Sequence, residues 1–244
     1  KVGVAGALAV NVLVNRTQAV IASGANVTVG GGDISIAAEN TQVTTARATS
    51  QATGGKVGVG ASAAINALLV NTTRAEVENT AVLKGSGNAL SVGATSSHTV
   101  NTNVEAGSAG GIAVSPAVAV AIVNNTTTAR LGTDAGANSL ALAGSVTLSA
   151  THTGVITTGA SATAAGDKVA VGATVGLNIG VDTTLATTER DITATGAVNI
   201  LSSSNVTVSL GINASSSGNK SEADGGRTAD NEAGAQANSP NTGG

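Results

Sequence analysis

A unit of about 56 residues recurs four times along this chain, and that repetition limits the possible folds more than any other feature. Lys1-Val2-Gly3-Val4 returns as Lys56-Val57-Gly58-Val59 and as Lys168-Val169-Ala170-Val171, with a diverged copy at Gly111-Ile112-Ala113-Val114. A unit that cannot close its own core, written end to end, predicts an elongated stack in which each copy packs on its neighbours. Composition narrows the choice further. The 244 residues include no Phe, Trp, Tyr, Cys or Met, but 33 Gly and 2 Pro. A compact domain of this length normally buries several large rings. Without them the interior has to be thin, regular and filled by Ala, Val, Ile and Leu.

Position by position, each unit carries the same punctuation. Ten residues after its start stand Asn11, Asn66, Ala121 and Asn178. A polar step follows: Asn15-Arg16-Thr17, Asn71-Thr72-Thr73, Asn125-Thr126-Thr127 and Asp182-Thr183-Thr184. Short alternating segments come next, among them Val27-Thr28-Val29, Ile34-Ser35-Ile36, Leu90-Ser91-Val92, Leu140-Ala141-Leu142, Val146-Thr147-Leu148 and Val198-Asn199-Ile200. Alternation bounded by Gly, Asn or Asp reads as half-buried strands meeting at tight corners. Stacked in register, Ile36, Val92, Leu148 and Ile200 would share one aliphatic column.

The rest of each unit is a Thr/Ser/Ala-rich passage (41–55, 96–111, 151–166) that runs into glycine and then into the next unit. Two β-prone arms on either side of Gly54-Gly55 predict a hairpin protruding from the rung, because paired glycines adopt the primed turns that hairpins favour. The competing reading, a helix over 7–14, is permitted by Ala and Leu but disfavoured by the flanking Gly, Val and Asn. The expected fold is therefore all-β, a right-handed parallel β-helix (β-solenoid) with one rung and one protruding hairpin per unit. The solenoid is expected over 1–215, with units starting near 1, 56, 111 and 168. A Gly/Ser/Asn-rich linker or disordered tail is expected over 216–244, where apolar periodicity stops. Since Lys1 falls in mid-pattern, the chain is expected to be an excerpt from a longer array.

The pattern resembles the passenger regions of large bacterial surface proteins, the filamentous-haemagglutinin-like and autotransporter-type adhesins. The residues carrying the likeness are Val27-Thr28-Val29 with Gly32-Asp33-Ile34-Ser35-Ile36-Ala37-Ala38, and Ala9-Val10-Asn11-Val12 with Asn15-Arg16-Thr17-Gln18-Ala19, returning through roughly residues 1–210. The resemblance implies an extracellular, cell-surface location and a structural stalk or adhesive segment serving adhesion, aggregation or biofilm attachment. Its partners would be host or neighbouring-cell surfaces, matrix or glycans, together with lateral self-association. It supplies no catalytic residue.

Chemistry-bearing residues are sparse. Eleven Lys or Arg against 14 Asp or Glu give no basic surface for nucleic acid. The apolar runs are too short for spanning helices, and no aromatic girdle marks a membrane barrel, so no membrane insertion is expected. His98 and His152 lie in the Thr/Ser arms with no Cys and no adjacent carboxylate in the sequence, which reads as exposed side chains and no metal site. The acids Asp33, Glu39, Glu76, Glu78, Glu105, Asp134, Asp167, Asp182, Glu189 and Asp191 are scattered, although Glu76 and Glu78 share a strand face. Glycoside cleavage asks for two carboxylates at fixed separation. A β-helical polysaccharide-degrading enzyme is thus an alternative rather than the main reading, and the expectation is no enzyme, no catalytic residue and no cofactor. A second alternative is an ice- or surface-binding module built on Thr ladders in the arms. Gly30-Gly31-Gly32 lacks the Lys and Ser/Thr of a phosphate loop and reads as a corner. The Asn-x-Thr steps read as corner residues, and Asn11, Asn66 and Asn178 as an inward amide ladder.

Overall fold

A computed structural model describes residues 1–85, 87–133, 140–142 and 144–218. Ten strands follow one another: β1 (Val2–Ile21), β2 (Asn26–Val29), β3 (Ile34–Thr53), β4 (Val57–Val77), β5 (Val82–Gly85), β6 (Leu90–Leu131), β7 (Leu140–Leu142), β8 (Val146–Thr188), β9 (Ile192–Ala194) and β10 (Val198–Gly218). Every pairing among them is parallel, and each joins a strand to its counterpart one unit later. The expected column is present: Ile36 pairs with Val92, Val92 with Leu148, and Leu148 with Ile200. The alternation of small β-prone side chains thus forms strands, and the repeat fixes their register. No helix lies over 7–14, and among the described residues no helix is long and apolar enough to cross a membrane.

The strands build two long walls. One consists of β1, β4 and the second halves of β6 and β8; the other of β3, the first halves of β6 and β8, and β10. The short pairs β2–β5 and β7–β9 bridge the walls at one side. This corrects the expected hairpin. The arms around Gly54-Gly55 make no ladder with each other; each bonds to its copies in neighbouring units, so the chain arches from one wall to the other and the walls face side chain to side chain. Copies stacked in parallel on both sides satisfy the backbone groups along the arms of the middle units, whereas a lone hairpin would leave both its outer edges open.

Space between the walls narrows toward the arch, and residue size follows it. Nearest the short strands the interior holds Val77, Leu90, Val92, Leu131, Val146 and Leu148. Further along come Leu68, Val100, Val123 and Ile156, then alanines such as Ala48, Ala64, Ala106 and Ala119. Each fully buried Leu or Ile contributes about 1.5–3 kcal/mol relative to exposure. Closest to the arch the second unit has room only for glycine, because a Cβ at Gly58 would overlap the Ala109 carbonyl oxygen and one at Gly60 that of Gly107, while the third unit carries Ala113 in the register position of Gly58.

The turn glycines behave as read: Gly31 and Gly32 have φ of 136° and 89° at the corner between β2 and β3. The tail boundary shifts, since β10 continues to Gly218 in register with Gly166; the rest of the expected 216–244 tail lies outside the described residues.

Candidate functional site

Between the two larger apolar clusters runs a polar layer, and it follows from strand parity. With Gly58, Ser62, Ala64 and Leu68 pointing inward on β4, a register shift at Leu68/Asn71 keeps Asn71 inward as well. Asn15, Asn71, Asn125 and Asp182 therefore form one column of the first wall. Asn40, Ser96, His152 and Ser204 form the facing column of the second wall, with Gln42, His98, Gly154 and Val206 beside it. The Asn-x-Thr steps are thus interior and not corners.

In the first units amides close on amides. Asn15 Nδ2 donates to Asn40 Oδ1 at 2.8 Å, Asn40 Nδ2 to Asn71 Oδ1 at 2.6 Å, and Asn71 Nδ2 to Asn125 Oδ1 at 2.8 Å. Asn125 continues to Thr127 Oγ1 at 3.3 Å, and the Ser96 hydroxyl lies 2.6 Å from Thr127 Oγ1 and 2.7 Å from His152 Nδ1. The ladder expected in the Asn11 column does not form, because Ala121 interrupts it and Asn66 instead donates to the carbonyls of Thr44 and Asn101.

At the far end of this layer three metal-ligating side chains meet. His98, His152 and Asp182 each offer a ligand atom, all within 4.8 Å of one another. His152 Nε2 stands 3.0 Å from Asp182 Oδ1, yet the pair lacks the alignment of a hydrogen bond. The imidazole centroids lie 4.8 Å apart and tilted by 30°. His98 is 2% exposed and neither of its ring nitrogens has a hydrogen-bond partner. Gly154 makes room for it, since a Cβ there would lie 2.8 Å from His98 Nε2 and 3.1 Å from His152 Nε2. Burial, and after it the neighbouring His152, holds His98 below the ordinary histidine range against the opposing pull of Asp182. Burial pushes the Asp182 carboxyl up, but its contact with His152, the field of both imidazoles and the Asn125 amide outweigh it and leave the group below its usual range. A neutral imidazole at His98 beside an ionised Asp182 carboxylate suits the binding of a metal ion.

This cluster overturns the expectation of a purely structural, adhesive chain with no enzymatic chemistry. It also corrects the reading of His98 and His152 as exposed side chains. They escape notice in sequence because they lie 54 rather than 56 residues apart, which places them in adjacent columns, and because Asp182 belongs to the opposite wall. Counting outward from the Gly166-Asp167-Lys168 arch is the signal that finds the pair, since residues 152 and 182 are equidistant from it.

Among the described residues the remaining acids do not form an acid pair. Glu76 binds Arg74 at 3.2 Å and also Arg130; Glu78 binds Arg74 at 2.9 Å; and Glu189 binds Arg130 at 3.0 Å. Accepting the Ser23 amide, with Arg74 beside it, holds Glu78 below its ordinary range, the opposite of a general acid. Glu105 pairs with Arg47, Asp33 accepts the Ala89 amide, and Glu39, Asp167 and Asp191 are exposed. Asp134 lies outside the described residues. The outward columns of the second wall show no unbroken Thr ladder: Thr41 is followed by Ser97, Thr153 and Asn205. Compared with known proteins, the chain matches no family model, no curated protein and no solved structure.

Proposed function

We propose that the chain is a right-handed parallel β-solenoid, with one rung per 56-residue unit, whose interior holds a divalent transition-metal ion at His98, His152 and Asp182. The observation that carries this reading is His98, an almost wholly buried imidazole whose two nitrogens have no partner. A buried polar group without a partner is costly, and a metal at this point would give one of the two nitrogens its partner. Two imidazoles and one carboxylate suit zinc and its neighbours in the transition series. Ser96 supports the arrangement by its contact with His152 Nδ1, which leaves Nε2 to face the ion.

Three protein donors leave one coordination position of a tetrahedral ion unfilled, the donor count of catalytic sites rather than of closed structural ones. Metal-assisted hydrolysis is accordingly the reaction class that the residues fit best. Of the sequence-level alternatives, the polysaccharide-degrading enzyme stands nearest. Asp182 is the sole carboxylate at the site, so the paired-acid route of glycosidases is not its chemistry. The repeat's resemblance to passenger regions of bacterial surface proteins supports a cell-surface location, which protease treatment of intact cells checks by the loss of the chain.

Chelator-treated protein titrated with Zn²⁺ by calorimetry should take up one equivalent, and Co²⁺ should give the visible absorption of a tetrahedral site. His98→Leu and Asp182→Ala should abolish both signals. Equal uptake by wild type and variants would refute the site. Release of sugar from polymeric glycans by the zinc-loaded protein, lost in the same variants, tests the hydrolytic part separately.

A further inference from the structure

The two walls present opposite outer surfaces. Along the second wall the outward residues are mostly polar, with Thr45, Arg47 and Thr49 on β3 and Asn101, Asn103 and Glu105 beside them on β6, and with Val43 and Leu201 as exposed apolar exceptions. Along the first wall they are apolar. On β1 the outward side chains Val2, Val4, Leu8, Val10, Val12 and Val14 are all more than half exposed. Their register partners on β4, β6 and β8 include no charged residue.

Near the arch this pattern inverts the usual parity of a surface strand, since the inward positions up to Asn11 on β1 and Asn66 on β4 hold Gly, Ala, Ser and Asn while the larger aliphatic side chains face out. Thirteen residues across four strands cover about 43 by 19 Å, or roughly 800 Å², at ordinary strand dimensions. Monomers seldom expose a contiguous apolar patch larger than about 600 Å², and roughly 800 Å² per partner is what a stable pairwise interface uses. Charge appears only at the margins, with Lys1 and Lys56 at one end and Arg16, Arg74 and Arg130 at the other. An apolar centre within a charged rim is the anatomy of a protein interface.

We infer that this face is the contact between two copies of the chain, packed wall to wall about a two-fold axis. A second copy is the occupant favoured because the face is complementary to itself. Leu8, 72% exposed, stands as a ridge beside a shallow trough floored by Gly6, Ala61 and Pro116. A two-fold axis between them sets each ridge into the other copy's trough, as isologous contacts require, and flat sheets of β-branched residues pack face to face about 10 Å apart. The interface lies outside the walls and does not involve the metal site.

Sedimentation equilibrium of the whole 244-residue chain in the micromolar range tests this. The expected mass is twice the 23.0 kDa of one copy. Val10→Lys and Val118→Lys, both outward, should weaken dimerisation at least about tenfold with unchanged far-ultraviolet circular dichroism. Leu210→Lys, at the open end of the fourth unit and directed toward Gly176, should leave the dimer intact. The proposal falls if wild type is monomeric throughout, if the two lysine variants remain dimeric, or if Leu210→Lys alone dissociates the protein. A monomer that binds phosphatidylcholine vesicles through Val10 and Val118 overturns it in favour of a lipid surface.

Discussion

At one end of the stack the interior polar layer is amide on amide, from Asn15 and Asn40 through Asn71 to Asn125; toward the other end the same register columns hold serine, histidine and aspartate. Asn40 is replaced by Ser96 and then His152 in one wall, and Asn15, Asn71 and Asn125 give way to Asp182 in the other. A side-chain amide both donates and accepts, so a column of them closes on itself wherever the stack is continued. An imidazole offers one donor and one acceptor in fixed directions. His98 finds neither. The amide chain of the first half is therefore closed by protein alone, although the Thr73 hydroxyl beside it has no partner, whereas the His98 imidazole gains a partner only with a ligand. Burial is similar in both halves, so the difference lies in whether the amide and imidazole atoms are satisfied.

Breaking the closed amide chain should cost most. Asn71 accepts from Asn40 and donates to Asn125, and it is 1% exposed. Asn71→Leu keeps the branched shape but leaves a buried donor and a buried acceptor without partners, each costing about 1–3 kcal/mol. Urea unfolding should show a loss of about 3 kcal/mol with the m-value unchanged. A loss below about 1 kcal/mol would mean that water already satisfies the layer.

Gly154→Ala addresses the other half through space rather than polarity. Its methyl group would press on both imidazoles, at 2.8 Å from His98 and 3.1 Å from His152. The rings can shift, so the expected cost is about 1–2 kcal/mol, together with loss of Zn²⁺ uptake in the calorimetric titration. Combining it with His98→Ala should recover most of that stability, because the coupling is direct. An additive double variant would show that the clash is with backbone and not with the ring.

How far the sequence reveals this arrangement depends on the parity of each wall. The 56-residue period gives the stack and the Ile36-to-Ile200 column directly, because a repeat that cannot bury itself must pair with its copies. The inside of the first wall is harder to read. Large apolar residues normally mark the buried face, but here Val4, Leu8 and Val10 point out while Gly3, Ala7 and Asn11 point in. Reading size as burial therefore assigns the Asn steps to corners. The arch adds a second difficulty, since a turn that joins two walls and a turn that closes a hairpin share the same Gly-Gly signal, and only the first brings Asp182 across to His152. The acids at the corner fail for a simpler reason: Glu76 and Glu78 are matched by Arg74 and by Arg130, which belongs to the next unit.

The smallest effect is the most telling. In metal-free protein, His98→Leu removes two unpartnered nitrogens and places an aliphatic group next to Val100 on the inward face of β6, so stability should stay within about 1 kcal/mol of wild type or rise. Its pH dependence follows from the direction of the shift. A histidine held below its ordinary value favours the neutral form when folded, so between the lowered value and 6.5 the unfolded chain binds more protons and stability is lost as the pH falls. That slope should be present in chelator-treated wild type and absent from His98→Leu. With excess Zn²⁺ the order reverses: wild type gains stability as RT ln(1 + [L]/Kd) while the variant gains nothing. An Asn column shows no such reversal, because its partners are already in the protein. If His98→Leu instead destabilises the metal-free chain as strongly as Asn71→Leu does, the imidazole is a packed member of the ladder and the two halves of the layer are alike.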